Sequence, residues 1–306
     1  MINSSFFSKN TLAFSSANRL YNFRTSILVG ACRSGKTTLG TLIGSCKYAE
    51  NIEEPWPAKI IPLLNGLKMM DKKLSQGLFL NYVTEVCNET ISFRTQSFKP
   101  SDLSNIWQQK TTDEILTRLN TAISRADVQL YIKKNNPLII LNLTEVLPFI
   151  KFIDEALKKP KIINVIRNGY DVAAECKDKM WFSDEQLSSP VKALPYRVYR
   201  FNKKQYHIPW WVSPSDVKLF VNYNNYERCL YYWYRNIHSS HKYLKLIKNK
   251  KYYKLIKYND LIQDTHKVLR DMCSFLELKS TKKTIQIIKN ISSRENKISQ
   301  KENVSK

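Results

Sequence analysis

The sequence predicts an α/β protein, a three-layer P-loop fold with a central, mostly parallel sheet flanked by helices. Three observations carry this. Ile27-Leu28-Val29 runs into Gly30-Ala31-Cys32-Arg33-Ser34-Gly35-Lys36-Thr37, which fits G-x-x-x-x-G-K-[ST] at every specified position. Two later Ile-rich runs, 137–142 and 161–167, have the composition of strands buried on both faces, as in a parallel sheet. Segments of helical period lie between these runs, the alternation that builds a sheet with helices on both sides.

The elements follow in order. Residues 1–24 are polar and aperiodic and read as a lead-in. The first strand is expected at 25–29 and the next helix at about 36–49, with Leu39, Leu42, Ile43 and Cys46 at i, i+3, i+4 and i+7 on one buried face. Residues 50–110 hold Trp56-Pro57, a Leu-rich patch at 63–67, and Phe79, Tyr82 and Phe93, and read as a substrate-facing lobe. Thr112 reads as an N-cap, with Asp113 and Glu114 in the first turn of a helix that turns Ile115, Leu116, Leu119 and Ile123 inward. Residues 145–158 read as a crossover helix and 183–215, rich in Pro, Tyr and Trp, as a long ordered loop. A long helix is expected over 223–248, a strand over 252–258 and a helix over 265–276 with Val268, Leu269, Met272, Phe275 and Leu276 on one side. The division is a single domain over 25–292 and a charged tail at 293–306.

Bulk composition narrows the class. Hydrophobic residues make up 43% of the 306, enough for a sizeable core. No apolar run approaches the roughly 18 residues that span a bilayer, and 1–14 lacks the basic and apolar regions of a signal peptide. Cys32, Cys46, Cys87, Cys176, Cys229 and Cys273 are scattered with no C-x-x-C pair, which argues against structural zinc and for a reducing cytoplasm. The net charge of +23 would attract a polyanion such as a nucleotide or nucleic acid. Abundant Lys, Asn, Ile and Tyr mark a low-GC coding bias, however, so charge alone selects no partner.

The loop chemistry is more specific. Backbone N–H groups of Gly30, Ser34, Gly35, Lys36 and Thr37 can wrap an anion at a helix N-terminus, with Thr37 and Thr38 donating hydroxyls. Arg167, at the end of the 161–167 strand, lies at the ligand edge of such a sheet, and its planar fork suits a phosphate. A salt bridge to Asp171, four residues on, is the alternative use of Arg167. Asp171 itself reads as a turn or cap residue.

Later segments carry a resemblance. Ile163-Asn164-Val165-Ile166-Arg167-Asn168-Gly169-Tyr170-Asp171-Val172-Ala173-Ala174, followed by Lys179-Met180-Trp181-Phe182, resembles the second signature of the PAPS-dependent sulfotransferases, where PAPS is 3′-phosphoadenosine 5′-phosphosulfate. Glu227-Arg228-Cys229 with Tyr232-Trp233 is similar to that family's long helix. Lys254-Leu255-Ile256-Lys257-Tyr258-Asn259-Asp260-Leu261 and then Phe275-Leu276-Glu277-Leu278 are similar to its ending, with Asn259 where Glu is usual. The matches cover 25–54 and 137–278 in the family's order. The resemblance implies that Gly30–Thr38 binds the 5′ end of PAPS and Arg167 its 3′-phosphate. It implies that Arg33 supports departure of the leaving group, with Lys36 beside it. It implies no metal, and Glu53 or Glu54 stands where related enzymes carry a general base, a surface pair being the alternative. Trp210-Trp211 is a candidate wall for an acceptor pocket or else core, and none of His207, His238, His241 and His266 stands in a catalytic setting.

The pattern also departs from the family. Glu175 stands where a phosphate-binding Ser is usual, eight residues after Arg167, so it must turn away, be paired, or mark altered cofactor use. Lys36 stands where the loop usually has Thr. Leu141-Asn142-Leu143-Thr144 replaces a Glu-Lys-Thr-Pro-like motif, and Ser292-Ser293-Arg294-Glu295 lacks the expected Gly-x-Trp. The leading expectation is PAPS-dependent sulfuryl transfer to a hydroxyl or amine of a small-molecule, glycan or peptide acceptor, away from membranes, with the oligomeric state open. One alternative is a Mg-dependent P-loop NTPase or kinase, though neither Ile-rich run ends in Asp and only Glu145 offers itself for the magnesium shell. The other is a non-catalytic binding protein, including a nucleic-acid binder using Lys242, Lys245, Lys248, Lys250, Lys251, Lys254 and Lys257; a solvated helix face accounts for that run more simply.

Overall fold

The computed structural model describes residues 23–102, 104–189, 195–244 and 250–291. The expected lead-in, apart from Phe23 and Arg24, and the expected tail fall outside them, as do Lys245 and Lys248 of the basic run. Seven strands are described: β1 (Arg24–Gly30), β2 (Ala49–Glu53), β3 (Leu138–Thr144), β4 (Lys161–Ile166), β5 (Tyr196–Phe201), β6 (Lys204–Pro209) and β7 (Tyr253–Lys257). Five form one parallel sheet in the order β2-β3-β1-β4-β7; β5 and β6 form a separate antiparallel hairpin.

β1 explains the layering. Ile27 and Val29 point into one apolar core and Leu28 into another, the period-two alternation of a strand covered on both faces. One face is covered by α2 (Trp56–Gly66), α3 (Lys72–Ile91), α6 (Arg125–Asn135) and α7 (Ile150–Ala156), the other by α1 (Lys36–Gly44), α12 (Tyr258–Gln263), α13 (Thr265–Leu276) and a helix at 282–291. Between these groups in the chain lie α4 (Ile106–Gln109), α5 (Thr112–Thr121), α8 (Gly169–Asp178), α9 (Asp184–Ser188), α10 (Val217–Asn222) and α11 (Asn225–Leu244). α11 packs on α8 through Cys229, Val172, Ala173 and Cys176. All six cysteines are free thiols. No helix among the described residues is long and apolar enough to cross a membrane.

Several expectations are corrected. The helix after the loop stops at Gly44, not 49, and β2 follows within five residues. β2 reads Ala-Glu-Asn-Ile-Glu, too polar for a buried strand by composition, yet Glu50 is 1% exposed and Asn51 2%. Its partners come from far along the chain. Arg118 Nη1 donates to Glu50 Oε1 at 2.7 Å, Lys110 Nζ lies 3.4 Å from the same oxygen, and Lys110 also donates to the Ala49 carbonyl at 2.6 Å. Arg118 lies over the rings of Phe93 (4.4 Å) and Tyr131 (5.1 Å). Burial opposes its charge, but Glu50 prevails and holds the guanidinium firmly protonated. Arg118 therefore takes the inward face of α5 with Ile115, as periodicity placed Ile115, while Leu116, Leu119 and Ile123 are 52%, 45% and 68% exposed, against that reading. The α5 cap is Thr111, whose hydroxyl accepts from the Glu114 N–H, not Thr112. Glu50→Ala leaves two buried cations with the half-exposed Glu114 as their one carboxylate among the described residues; unfolding by urea should show a loss of about 3–5 kcal/mol.

The expected loop over 183–215 contains α9 and the β5–β6 hairpin. Asn202 and Lys203 form its two-residue turn, with φ of 48° and 63°, the both-positive pattern that matches strand twist. The expected substrate-facing lobe at 50–110 instead contributes part of the core: Phe79 and Cys87 are fully buried against the sheet, and of its described residues Glu54 and Lys59 line the cavity described next.

Candidate active site

The loop after β1 is tightly enclosed. Gly30 has φ 153°, and a Cβ there would sit 2.4 Å from the Val165 carbonyl oxygen of β4. Gly35 has φ 95°, and its Cβ would sit 2.3 Å from the Tyr258 ring. Glycine is required at both places. α1 begins without a side-chain cap and without an acidic residue in its first turn, so its N–H groups remain available to an anion. Lys36 is buried and donates to the Ala31 carbonyl at 3.0 Å. Ser34 Oγ is buried without a hydrogen-bond partner among the described residues. Thr38 lines a second cavity together with Trp107 and Lys283, beside α1.

Arg33, in the left-handed region at φ 62°, projects from the loop toward α8. Its Nε donates to Glu175 Oε2 at 2.7 Å, and its Nη2 lies 2.6 Å from the same oxygen. Arg167 Nη1 donates to the other oxygen, Glu175 Oε1, at 2.5 Å and to the Arg33 carbonyl at 3.1 Å. Glu175 thus bridges the two arginines. Burial alone would raise its carboxyl, but hydrogen bonds from Arg167 and Arg33 outweigh burial and hold it below the usual carboxylate range. Arg167 also lies 4.4 Å over the Tyr258 ring and 3.7 Å from Asp171. Its Nε is buried with no hydrogen-bond partner among the described residues. Asp171 is in the first turn of α8, and the cap is Asn168, whose side chain accepts from the Tyr170 N–H.

The two candidate bases face different ways. Glu53, at the end of β2, accepts from Thr37 Oγ1 at 2.7 Å and from Asn142 Nδ2 at 2.7 Å. Burial raises its carboxyl against the opposing pull of Thr37 and Lys36. Glu54, one residue on and at φ 41°, accepts from the Thr144 hydroxyl and lines a cavity of about 320 Å³. Glu145, one residue past β3 and at φ 65°, lines the same cavity and pairs with Lys59 at 3.1 Å. Arg33, Glu54 and Glu145 each follow a parallel strand in a left-handed conformation, a strain that gathers at functional edges.

Cys32 joins loop to cavity. It lines the cavity, and its N–H donates to the Tyr232 hydroxyl at 3.0 Å. Trp181, Phe182, Tyr196, Trp210 and Trp211 complete most of the wall. Trp211 is both wall and core, in edge contact with Phe182 at 5.1 Å and Tyr232 at 5.2 Å. His207 also lines the cavity, its Nδ1 3.0 Å from the Leu187 carbonyl; His238, His241 and His266 do not. Sequence reasoning missed Lys59 and Tyr232, and weighed Glu145 only for magnesium. The one available signal was position: Glu145 lies just past the carboxyl end of a central strand, where open α/β sheets bind ligands.

The sulfotransferase-domain family matches residues 24–306, and the chain belongs to that family. Solved structures with a similar course include the sulfotransferase domain from the curacin biosynthetic pathway, at 12% identity over 87% of this chain and 78% of that one, with a TM-score of 0.47. The sulfotransferase domain of the Synechococcus PCC 7002 olefin synthase is similar at 15% identity over 87% and 78%, TM-score 0.44. Sulfotransferase STF1 of Mycobacterium tuberculosis H37Rv is similar at 12% identity over 89% and 72%, TM-score 0.43. Among curated proteins no sequence matches.

Proposed function

We propose that this sulfotransferase moves a sulfuryl group in line from PAPS to a hydroxyl or amine of a small acceptor. One observation carries the reading: an anion-cradling loop and a walled cavity containing a carboxylate meet at Cys32, on one edge of the sheet. The residues fit the 5′ end of PAPS. The N–H groups at the uncapped start of α1, with Lys36, Thr37 and Thr38 in its first turn, and the Ser34 Oγ that has no partner among the described residues would hold the phosphate, on a loop that Gly30 and Gly35 let pack closely against β4 and Tyr258. At the 3′ end, Arg167 would offer its guanidinium, whose Nε lies 3.7 Å from Asp171 Oδ2 and whose Nη1 is held by Glu175. When bound, PAPS supplies a sulfuryl group on a phosphate leaving group. Arg33 and Lys36 neutralise charge on that phosphate, and Glu54 holds and accepts the acceptor's proton. Glu53 orients Thr37.

The test is a thermal-shift titration with PAP, the desulfated product, set against ATP with magnesium. Ligand at about 100 times its Kd adds roughly 2.7 kcal/mol to stability. A rise with PAP and no metal supports the reading; a rise only with ATP and magnesium favours the nucleoside-triphosphate enzyme; no rise with either favours the non-catalytic member of the fold.

Glu175 sets a further expectation. A carboxylate on the arginine pair competes with a phosphate for the same donors. Glu175→Ser should tighten PAP binding by about tenfold or more at neutral pH, read as a lower Kd by calorimetry. An unchanged Kd means the carboxylate leaves the arginines at no cost. The sign of the pH effect follows from the lowered carboxyl: the bridge stabilises the fold above the unfolded value of about 4.3 and is lost as pH falls through the lower folded value.

A further inference from the structure

All six cysteines are free thiols, and two of them are in sulfur–sulfur contact. Cys46, two residues past the end of α1, and Cys273, in the last turn of α13, bring their sulfurs to 3.9 Å although they stand 227 positions apart in the chain. Hydrogen bonds clamp the segment carrying Cys46 to the segment that follows α13. The Lys47 N–H donates to the Lys279 carbonyl at 2.9 Å, and the hydroxyls of Thr281 and Thr284 donate to the Ser45 carbonyl at 2.8 Å and 3.0 Å. Ser45 and Lys47 flank Cys46, so its backbone is held beside α13. The partners differ in access: Cys46 is 1% exposed, and Cys273 is partly exposed. Contact with Cys46 holds the Cys273 thiol below its ordinary value against the effect of burial, while that contact and then burial push Cys46 up. An accessible, more acidic thiol beside a buried one is the arrangement of an attacking and a resolving cysteine. A disulfide needs the sulfurs about 2 Å apart, a closure of about 2 Å that side-chain rotation can supply.

We infer that Cys46 and Cys273 form a reversible disulfide, a redox modification site whose oxidant is a peroxide. The Cys273 thiolate attacks one peroxide oxygen, the O–O bond breaks, and the departing hydroxide takes a proton to become water. The Cys46 sulfur then attacks the sulfur of the Cys273 sulfenic acid. The S–S bond forms, the S–O bond breaks, and the hydroxyl leaves with the Cys46 proton as a second water. Two thiols lose two electrons and one peroxide gains them. The cross-link ties the far end of α1 to α13, with the nine residues of α1 between it and the anion-binding loop. Its formation therefore does not depend on what the loop holds.

The test treats the full chain, without ligand and at micromolar concentration, with hydrogen peroxide and then quenches by alkylation. Titration in denaturant should show the loss of two of the six free thiols, and peptide mapping should recover one linkage, Cys46 to Cys273. Dithiothreitol should restore all six. The oxidised chain should melt several degrees higher, because the bond closes a long loop in the unfolded state. Cys273→Ser, at the partly exposed position, should fold and form no linkage under the same treatment. Retention of all six thiols, a linkage through Cys32, Cys87, Cys176 or Cys229, a bond between two chains, or oxidation of Cys273 to a sulfinic acid without a linkage overturns the inference.

Discussion

Arg33→Ala should lower turnover by about 10²–10³-fold, the loss seen when one pre-organised charge-stabilising donor is removed, with PAP-independent melting changed by only a few degrees. The side chain is 40% exposed and projects from a loop, so little packing is lost. Alanine at φ 62° is as strained as arginine, so the backbone contributes no large difference. Two controls separate the roles Arg33 could fill. Arg33→Lys keeps the charge but not the planar fork that now grips Glu175, and should recover only part of the rate. If Arg33 acts merely by neutralising Glu175, removing both groups restores activity; if it acts on the leaving phosphate, Arg33→Ala with Glu175→Ala stays as slow as Arg33→Ala alone. The double-variant cycle decides this, because the two side chains touch and their effects need not add. Full turnover in Arg33→Ala would remove the residue from the chemistry.

How much of this was legible follows from where each partner lies. β1, the loop and the start of α1 are contiguous, and local rules suffice: an apolar strand, two glycines in positive-φ positions and an uncapped helix start. β3, β4 and α13 announce themselves by composition or by period. β2 does not, because Glu50 is tolerable in the core only once Lys110 and Arg118 arrive from beyond α4. The same exchange misleads on α5, whose leucines point outward because the charged cluster owns the inner face. The arginine bridge was half legible. Arg167 and Glu175 share α8 and its approach, so their proximity follows from spacing, but Arg33 enters from another strand's loop. The cavity was least legible: Cys32, Glu54 and Glu145 follow three different strands, Lys59 and Tyr232 lie on two different helices, and only the parallel register brings those strand ends together.

The end of β2 also decides between the two glutamates. Glu53 closes β2 and turns to Thr37 and Asn142, while Glu54, just past the strand with φ 41°, lines the cavity. Glu54→Gln should therefore lower kcat by about 10²–10⁴-fold, the usual contribution of a positioned general base, and leave PAP binding unchanged. Glu53→Gln should behave differently. The raised Glu53 carboxyl means that folding favours its protonated form, so its contribution is best below the unfolded value and is lost as pH rises through the folded one. A neutral amide removes that loss, and Glu53→Gln should melt higher than wild type at neutral pH while keeping most of its rate, since an amide oxygen still accepts from Thr37. The pH profile is the sharper readout. In wild type the acid limb of kcat reports the base that touches the acceptor; with Glu54→Gln that limb should vanish along with the rate, and with Glu53→Gln it should stay where it was. The opposite pattern, a lost limb in Glu53→Gln and an intact one in Glu54→Gln, would transfer the base to Glu53 and require the Thr37 hydroxyl to release it during turnover.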